Sequence, residues 1–593
     1  MKSELAVPGF FEEMSITSFF KNKGLRSELK NDRGVFGVVK LRSIFDKLIY
    51  KDVYPTIDQN LSCSNVGGRK GRNIRDHLFV IYAIINDVKN GNAKSIDIQG
   101  YDINKCFYEM SYEETHNDLW DVGVCDDRFA MIAKMDEHAK VVVKTPSGTT
   151  DKFLLNRIIM QGTVFAPIKC SIQMDTLGRD CLTNGDGLYE YKGIVDVPAL
   201  SMIDDVVGVT TCSDESVKLN AIINVKVESK KLRLSDSKCY KLHISKKKKS
   251  NCTVKLLVHD DEMKTVKNAA YLGDILNEDG NIDDTVLARK DRSIGRISQI
   301  ISILDSISLG MFYMDISLIL RESMLLNGIL PNSEVWYNVT DDHITRLESA
   351  DNDLMRKIFK AHSKTAIELF FLETAKIPLR FVISKRRLMY YWHIMHQSED
   401  ELIRKVYDVQ GAVYTKGDWF QMIKSEKDKY NIISSDEEVS MMTKYRFKKL
   451  VEKKVNLYAF NYLKEKARSH SKSIGILEEV ERNPIMRRAT YLRANFLLKS
   501  DCQLLFELRS RMLDVKTNFS NLYDNDTSCR TCTLVSAVED EDHLLHCDGL
   551  ISENLDKTVK FDFVYEDIDQ QLRALQVFKA VIRKRNFLLK YNK

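Results

Sequence analysis

The stretch from Ala199 to Val209, ALSMIDDVVGV, sets two adjacent aspartates, Asp204 and Asp205, between two apolar, β-prone runs. Side chains alternate faces along a strand, so neighbouring carboxylates inside an apolar hairpin are best accommodated in its tight turn, both pointing out of one end. A divalent cation there would relieve their repulsion. The run SIDIQGYD alternates apolar and polar residues as a strand does and ends at Asp102, the natural third oxygen ligand. Three carboxylates converging on hard cations such as Mg²⁺ or Mn²⁺ make a two-metal site for in-line phosphoryl transfer. Taken alone, an Asp-Asp pair is more often an ordinary turn.

The chain around this feature has 593 residues, more than one core of ~100 to 200 residues holds, so several domains or one multi-lobed enzyme are expected. Apolar residues at 44% and charged residues at 29% exclude a disordered or collagen-like chain. The start, MKSELAVPGFFEEMSITSFF, is interrupted by Glu4, Glu12 and Glu13 and lacks the apolar core of a signal peptide. Residues 305–330 carry Asp305, Asp315, Arg321 and Glu322 and read as an amphipathic helix, so no membrane association is expected. Twelve mostly scattered cysteines suit a reducing compartment, the nucleus or the cytoplasm.

Along the chain, residues 61–75, LSCSNVGGRKGRNIR, form a Gly-rich loop with four cations and no acid. A helix is predicted from Asp76 to Asp87, with Leu78, Ile81, Tyr82 and Ile85 on one face. Ser111 and Glu114 form a capping-box pattern, and Gly123 marks the stop of that helix. AKVVVKTPSGTTDKFLLNRII reads as a hairpin turning at Pro146 to Gly148. Beyond residue 285 the pattern is long and helical, with a mixed segment near 410–440. The fold class is therefore α+β, a mixed first half followed by a helical second half.

The motifs, taken in order, resemble those of the reverse transcriptases of non-LTR (LINE-like) retrotransposons. Gly67–Asp76, GGRKGRNIRD, looks like the fingers signature of that family, which implies that Arg69, Lys70 and Arg72 lie near template or incoming triphosphate. Asp102-Ile103-Asn104-Lys105-Cys106-Phe107 matches the first palm motif: a metal-binding aspartate, the Ile103 carbonyl as a backbone ligand, and Phe107 screening the sugar 2′ position. Met160–Pro167, MQGTVFAP, resembles the Gln-Gly motif in which Gln161 and Gly162 contact the template and the nascent base pair. Met202-Ile203-Asp204-Asp205 corresponds to the aspartate doublet of the third palm motif. Leu234–Lys238 looks like the next motif, with Lys238 the proton donor to pyrophosphate, and Ala270–Gly273 resembles the turn that grips the primer. The chain departs from its relatives in having Tyr108 where an acid is common and Ile203 where Ala is common. Only about 65 residues precede the basic loop, too few for the endonuclease domain many such elements carry, and none after the final cysteines would house an RNase H domain; a separate endonuclease is a natural partner.

The resemblance implies a right-hand polymerase followed by a helical C-terminal region with a small zinc knuckle. Its parts would be a fingers region over 1–95, the palm over 96–284, a helical thumb over 285–400, a helical connector over 401–508 and a zinc-binding region over 509–593. Cys529, Cys532, His543 and Cys547, spaced as C-x2-C, ten residues, then H-x3-C, suit a closed tetrahedral Zn²⁺ site, and the same wording looks like the family's C-terminal zinc-binding region. His546 is a substitute for His543, which the spacing favours. Two other stretches are basic. Between Asn224 and Lys249 stand ten Lys or Arg against two acids, including the run Lys246 to Lys249, a solvated turn or a phosphate-neutralising surface. SKRRLMYYWHIMH, with Tyr390, Tyr391 and Trp392, is either core or a base-stacking face.

The function implied is RNA-directed DNA polymerisation: a nucleotidyltransferase that binds RNA template and DNA primer and extends a 3′-hydroxyl with dNTPs, with Asp102, Asp204 and Asp205 holding Mg²⁺. Two other readings stand beside it. One is a catalytically inactive nucleic-acid-binding relic or host-adopted scaffold. The other is an RNA-dependent RNA polymerase, which shares the aspartate geometry and which the bulky Phe107 disfavours.

Overall fold

Alternation decides the first half of the molecule. The computed structural model describes residues 8–591 except 23, 29–30, 92, 146, 156, 158, 185–188, 212, 247–253, 307–311, 495 and 533–536. The chain divides into two units, one of Met1–Ile282 with Val335–Asn338 and His396–Met422, the other of Asp283–Glu334, Val339–Met395 and Ile423–Lys593. The segment read as a connector over 401–508 is thus split, its first part packing with the sheets. The molecule is a mixed α/β protein with a helical C-terminal region.

The first unit begins with strands β1 (Glu13–Phe20) and β2 (Asp32–Val38) and helices α1 (Lys40–Asn60) and α2 (Ile74–Asn90). Strand β3 (Ser95–Asp102), helix α3 (Tyr112–Asp121), β4 (Lys140–Thr145) and α4 (Ala166–Asn184) follow. Then come β5 (Leu200–Met202), β6 (Asp205–Thr210), α5 (Ser213–Ser229), β7 (Tyr240–Ser245) and β8 (Lys264–Val266). Two sheets result. One joins β2, β1 and β4, with β1 and β4 parallel, and residues 148–149 and 153–154 extending it. The other runs β8-β7-β3-β6-β5. The hairpin turn expected at Pro146–Gly148 includes residue 146, which lies outside the described residues.

Strand β3 is central, and its two faces differ in chemistry. Gln99 and Tyr101 point toward α5, where Gln99 donates to Thr210 at 3.4 Å and Tyr101 Oη bonds Asn220 at 3.2 Å. Asp97 accepts from Ser216 on α5 at 3.2 Å and pairs with His243 at 2.7 Å, so the buried polar groups of this face satisfy one another. On the opposite face Gly100 leaves room for the Tyr240 ring: a Cβ added there would stand 2.3 Å from its Cε1. Glycine in a strand interior marks such a close approach. Apolar residues of β3, β6, α4 and α5, among them Tyr101, Val206, Met174, Leu219 and Ile223, form one core.

Helix α2 begins as a capping box, Asn73 accepting from Arg75 N while Asp76 accepts from Asn73 N at 2.9 Å, so that the helix starts at Ile74, ahead of the Asp76 that the periodicity predicts. Ser111 Oγ caps α3 by accepting from Glu114 N at 3.2 Å, and Gly123 follows its end at φ 91°. Both caps match their sequence signals.

The second unit is helical, with α6 (Asp283–Ser306), α7 (Asp341–Phe359), α8 (Leu379–Met395), α9 (Lys444–Arg468), α10 (Lys499–Arg509) and α11 (Ile568–Tyr591). Of the amphipathic helix expected over 305–330, residues 307–311 lie outside the described residues and 313–329 are continuously helical, with Glu322 exposed, Asp315 partly so and Arg321 the exception. The helix Tyr313–Leu320 passes into a π-helical turn, Arg321–Leu326, and one charge that suggested an exposed face is buried: Arg321 forms a two-pronged pair with Asp351, both bonds 2.6 Å. Tyr390 and Tyr391 of α8 are buried and Trp392 donates to Met442 O at 2.8 Å, so this aromatic segment is core and not a stacking face. Among the described residues no helix is long and apolar enough to cross a membrane.

Gly100→Ala is expected to push the Tyr240 ring off the sheet and destabilise the first unit by about 1–3 kcal/mol, read as an earlier first transition in urea unfolding. An unmoved transition would mean that the ring clears the new methyl at no cost.

Candidate active site and metal centre

Pairing of β3 with β6 sets Asp102 directly opposite Asp205, and pairing of β6 with β5 sets Asp205 opposite Met202. Ile203 and Asp204 are therefore the two turn residues of the hairpin. Ile203 has φ 59°, a conformation that costs a β-branched residue about 1–2 kcal/mol and that glycine usually fills at this position. Its side chain is held by the same core that Phe107 packs against. Backbone strain of this kind persists where surrounding contacts over-determine it.

Two segments brace the turn. Ser64–Val66 lies alongside β5, with Ser201 N donating to Ser64 O at 3.0 Å and Val66 N to Ser201 O at 3.2 Å. This brings Gly67 under the aspartate turn, where an added Cβ would meet Ile203 N at 2.7 Å and Ser171 Oγ at 2.3 Å. Gly67 of the basic loop thus allows close approach to the turn that carries Asp204, while Gly68 lies against Pro167 and Ile168. On the other side Ser235 N donates to Asp102 O and Asn104 N to Arg233 O, both at 2.8 Å, and Ile103 bridges Leu234. That contact delivers Lys238, whose Nζ donates to both Asp102 oxygens at 3.0 and 2.8 Å.

The electrostatics follow from crowding. Burial pushes the Asp205 carboxyl up to about 6, with Asp204 and then Asp102 adding repulsion and Lys238 opposing it. Burial likewise raises Asp204, against the pull of Lys238 and of Arg33 on β2. Three acids and two nearby cations leave a net negative, all-oxygen donor set, which suits a hard divalent ion. The trio is more open than a closed site: among the described residues, it is not one of the groups whose ligand atoms all lie within 4.8 Å of one another.

The residues expected near template or nucleotide fall into two sets. Gly162 has φ 103°, and an added Cβ would stand 2.9 Å from Phe36 O, while Gln161 O accepts from Phe36 N at 2.8 Å. Gln161 Oε1 is buried with no partner. Lys70 is exposed, its ammonium 4.9 Å from the Tyr54 ring. Arg69 departs from expectation. It is buried and donates to Asp58 Oδ1 at 2.7 Å and to the carbonyls of Ser62 and Asn65 at 2.7 and 2.9 Å, so its guanidinium builds the loop. Arg72 is likewise engaged, with Gln397 and Glu401.

The basic stretch 224–249 is also largely neutralised. Lys230 pairs with Asp118, Lys231 with Glu114 at 3.4 Å, and Lys246 donates to Gly91 O at 2.8 Å. Lys241 is buried against Val254 O. Residues 247–249 lie outside the described residues.

Three neighbours have roles that the sequence did not mark. Tyr108 Oη accepts from Gly34 N at 3.1 Å, tying the first motif to β2. Tyr240 is paired with Gly100 across the ladder, its hydroxyl buried and unpartnered, and Gly100 was the sequence signal for it. His77, buried, stands behind the basic loop, its Nε2 2.9 Å from Ser64 O and its Nδ1 3.2 Å from Tyr271 Oη. A carbonyl only accepts, so Nε2 carries the proton and Nδ1 accepts from Tyr271. Tyr271 closes the hairpin whose turn, Leu272-Gly273, has φ 46° and 90°.

In the second unit a hairpin pairs Ser528 with Val538, and Asp540 caps a short helix by accepting from His543 N at 2.7 Å. Ligand atoms of Cys529, His543 and Cys547 all lie within 4.8 Å of one another, and Cys532 forms a second such group with Cys547 and Asp548. Cys529 and Cys547 Sγ stand 3.8 Å apart, which equals the ~3.8 Å edge of a tetrahedron with 2.3 Å Zn–S bonds. His543 Nε2 is buried without a hydrogen-bond partner, as a metal-directed nitrogen would be. His546 is exposed and outside the cluster. The donors therefore fit Zn²⁺. Glu539 is buried between Arg530 and Arg585 at 2.6 and 2.7 Å.

No protein-family profile matches the sequence, and no curated protein matches it. Solved structures that are similar include apo telomerase from Candida tropicalis, at 13% identity and TM-score 0.37 over 76% of this chain and 70% of that one. Telomerase from Candida albicans with a TWJ fragment of telomeric RNA is similar at 12% identity and TM-score 0.36, over 75% and 66%. A C. tropicalis telomerase truncated from its C-terminal domain is similar at 13% identity and TM-score 0.33, over 46% of this chain and 54% of that one. The chain thus spans about half the length of that structure. Likeness of this size carries no argument about activity.

Burial pushes His77 down to about 4, well below the value near 6.5 of an exposed imidazole. The folded state keeps it neutral while the unfolded chain takes up a proton below pH 6.5, so stability is full above that pH and falls between about 6.5 and 4, by up to ~3 kcal/mol. Urea midpoints measured across this window should fall as pH falls, and His77→Gln, which retains a donor for Ser64, should flatten the profile.

Proposed function

We propose that this chain is an RNA-directed DNA polymerase of the non-LTR retrotransposon type, adding dNTPs to a 3′-hydroxyl primer on an RNA template. The observation that carries the reading is the convergence of Asp102, Asp205 and Asp204 at one end of the β3–β6 ladder, with Lys238 ion-paired to Asp102. An Asp-Asp turn needs no such third acid. Mg²⁺ held by Asp102, Asp204, Asp205 and the Ile103 carbonyl would activate the attacking hydroxyl and neutralise the departing pyrophosphate.

The chain's own residues supply position and charge. Phe107, partly buried against the palm core, closes the floor beneath the sugar 2′ position. Gln161 and Gly162, pinned to β2 through Phe36, present backbone to the template and the incoming base. Lys238, with its side chain 65% exposed, turns from Asp102 toward a triphosphate and donates a proton to the pyrophosphate. Lys70 is the basic-loop cation left to meet a phosphate, Arg69 and Arg72 having become loop structure. A closed set of Cys529, Cys532, His543 and Cys547 would hold Zn²⁺ in a structural role.

With oligo(dT) on poly(rA), purified protein should extend the primer only when Mg²⁺ or Mn²⁺ is present, and Asp204→Asn should lower extension by at least ~100-fold. Equal activity in the variant sinks the assignment. Strand binding without synthesis favours the inactive scaffold, and preferential rNTP incorporation favours an RNA polymerase.

Metal analysis of protein purified without added zinc should find about one Zn²⁺ per chain, lost in Cys547→Ser together with cooperative unfolding of the C-terminal region. Stoichiometric zinc in that variant would remove Cys547 from the ligand set.

A further inference from the structure

Residues 482–499 read RNPIMRRATYLRANFLLK, five cations without an acid, between α9 and α10. Arg487, Arg488 and Arg493 line one small cleft of about 80 Å³, partly open to solvent, together with Ile485, which is 64% exposed. Arg488 is its anchor. Its Nη1 donates to Asp315, whereas its Nε and Nη2 are buried with no hydrogen-bond partner among the described residues. These two nitrogens form one edge of the guanidinium, the edge whose parallel N–H bonds match two oxygens of a single anion. Buried donors left in that state call for an acceptor.

The surrounding charge selects the acceptor. Arg487 is exposed, with no partner among the described residues, and Arg493 is held only by Thr490 Oγ1 at 3.2 Å. The acids on the cleft wall, Glu373 and Glu479, are both taken by the buried Arg509. Four arginines, Arg509 included, stand against Glu373, Glu479 and Asp315 and leave a surplus of one positive charge at the cleft itself. Helix α9, whose Phe460 also lines the cleft, adds nine Lys or Arg against two Glu over Lys444–Arg468. Seven of these, Lys444, Arg446, Lys448, Lys449, Lys453, Lys466 and Arg468, are exposed, with Lys448 paired to Glu452 and Arg468 to Glu465 and Glu481. A field of this breadth fits a polyanion better than an isolated small anion.

We propose that this cleft binds a backbone phosphate of a nucleic-acid strand, its two non-bridging oxygens on Nε and Nη2 of Arg488, with Arg487 and Arg493 neutralising that phosphate and its neighbour. The choice of a strand over a free anion rests on the polymerase reading; the site itself does not. Its test is equilibrium binding of the full chain to fluorescent 20-nucleotide single-stranded RNA and DNA, with Mg²⁺ and dNTPs omitted so that synthesis plays no part.

Arg487→Ala/Arg493→Ala alters only exposed side chains and should leave the thermal unfolding transition in place. It should weaken strand binding about tenfold near physiological salt and make the slope of log K against log[salt] shallower by about 1 to 2. Arg488→Lys keeps the charge facing Asp315 but loses the forked edge, and should weaken binding several-fold with little change in slope. Unchanged affinity and slope in the double variant overturn the site. Loss of binding to a free nucleoside triphosphate or inorganic phosphate, with strand binding intact, overturns the strand as ligand. Loss of strand binding in a protein that shows no primer extension upholds the site while the polymerase reading falls.

Discussion

The β3–β6 ladder places Asp102 across from Asp205, and nearly every local feature of the first unit serves that register. A shift of one residue would turn every β6 side chain to the other face and send Asp205 into the core. Several contacts fix it. Polar groups on the rear face of β3 are bonded to α5 and β7, Gly100 admits the Tyr240 ring, and Ser64–Val66 runs beside β5. The strained Ile203 sits at the far end of this bracing, directly over Gly67. The carboxylates are thus held together by backbone pairing and packing, against a repulsion that shows itself in the raised Asp205 carboxyl.

Local signals in the chain were legible where the physics is local. Strand β3 ends at Asp102 as the alternation in SIDIQGYD predicts, and the Ser111 cap is made by the residue that the capping pattern names. The turn position of Asp204 follows from two apolar runs too short to bury a charge pair. What the chain conceals is the fate of its charges. Asp58 lies 11 residues from Arg69 and Asp118 lies 112 residues from Lys230, so a count over a basic stretch misses the acids that neutralise it. Arg321 is a sharper instance: its charge argued for an exposed helix face, yet Asp351 buries it at the core of the second unit.

This accounting also shows where free positive charge remains. The stretches richest in cations by sequence, 61–75 and 224–249, have spent most of theirs on structure. The segment 482–499 and α9, which have weaker motifs, keep many of theirs exposed, among them Arg482, Arg487, Arg493, Lys444 and Arg446. Charge density in sequence is a poor guide to phosphate binding because a folded protein satisfies its buried and half-buried ions first. The informative quantity is the donor left over, such as Nε and Nη2 of Arg488.

The two candidate metal sites separate along the same line. At the carboxylate site the ligands are hard oxygens, Asp102 keeps 22% of its side chain exposed, and the counter-cation Lys238 is flexible and solvent-facing. Such a site can exchange ions and admit substrate oxygens into the coordination sphere. At the cysteine cluster the donors are soft, Cys547 is fully buried, and the Cys529–Cys547 sulfur spacing equals a tetrahedral edge. Glu539, between Arg530 and Arg585, fixes the hairpin that carries Cys529 and ties it to α11. Chemistry that needs turnover belongs at the first site. The second can only hold the fold of the region that carries it, and a ligand lost there would be felt through that region's folding before any effect on the carboxylates.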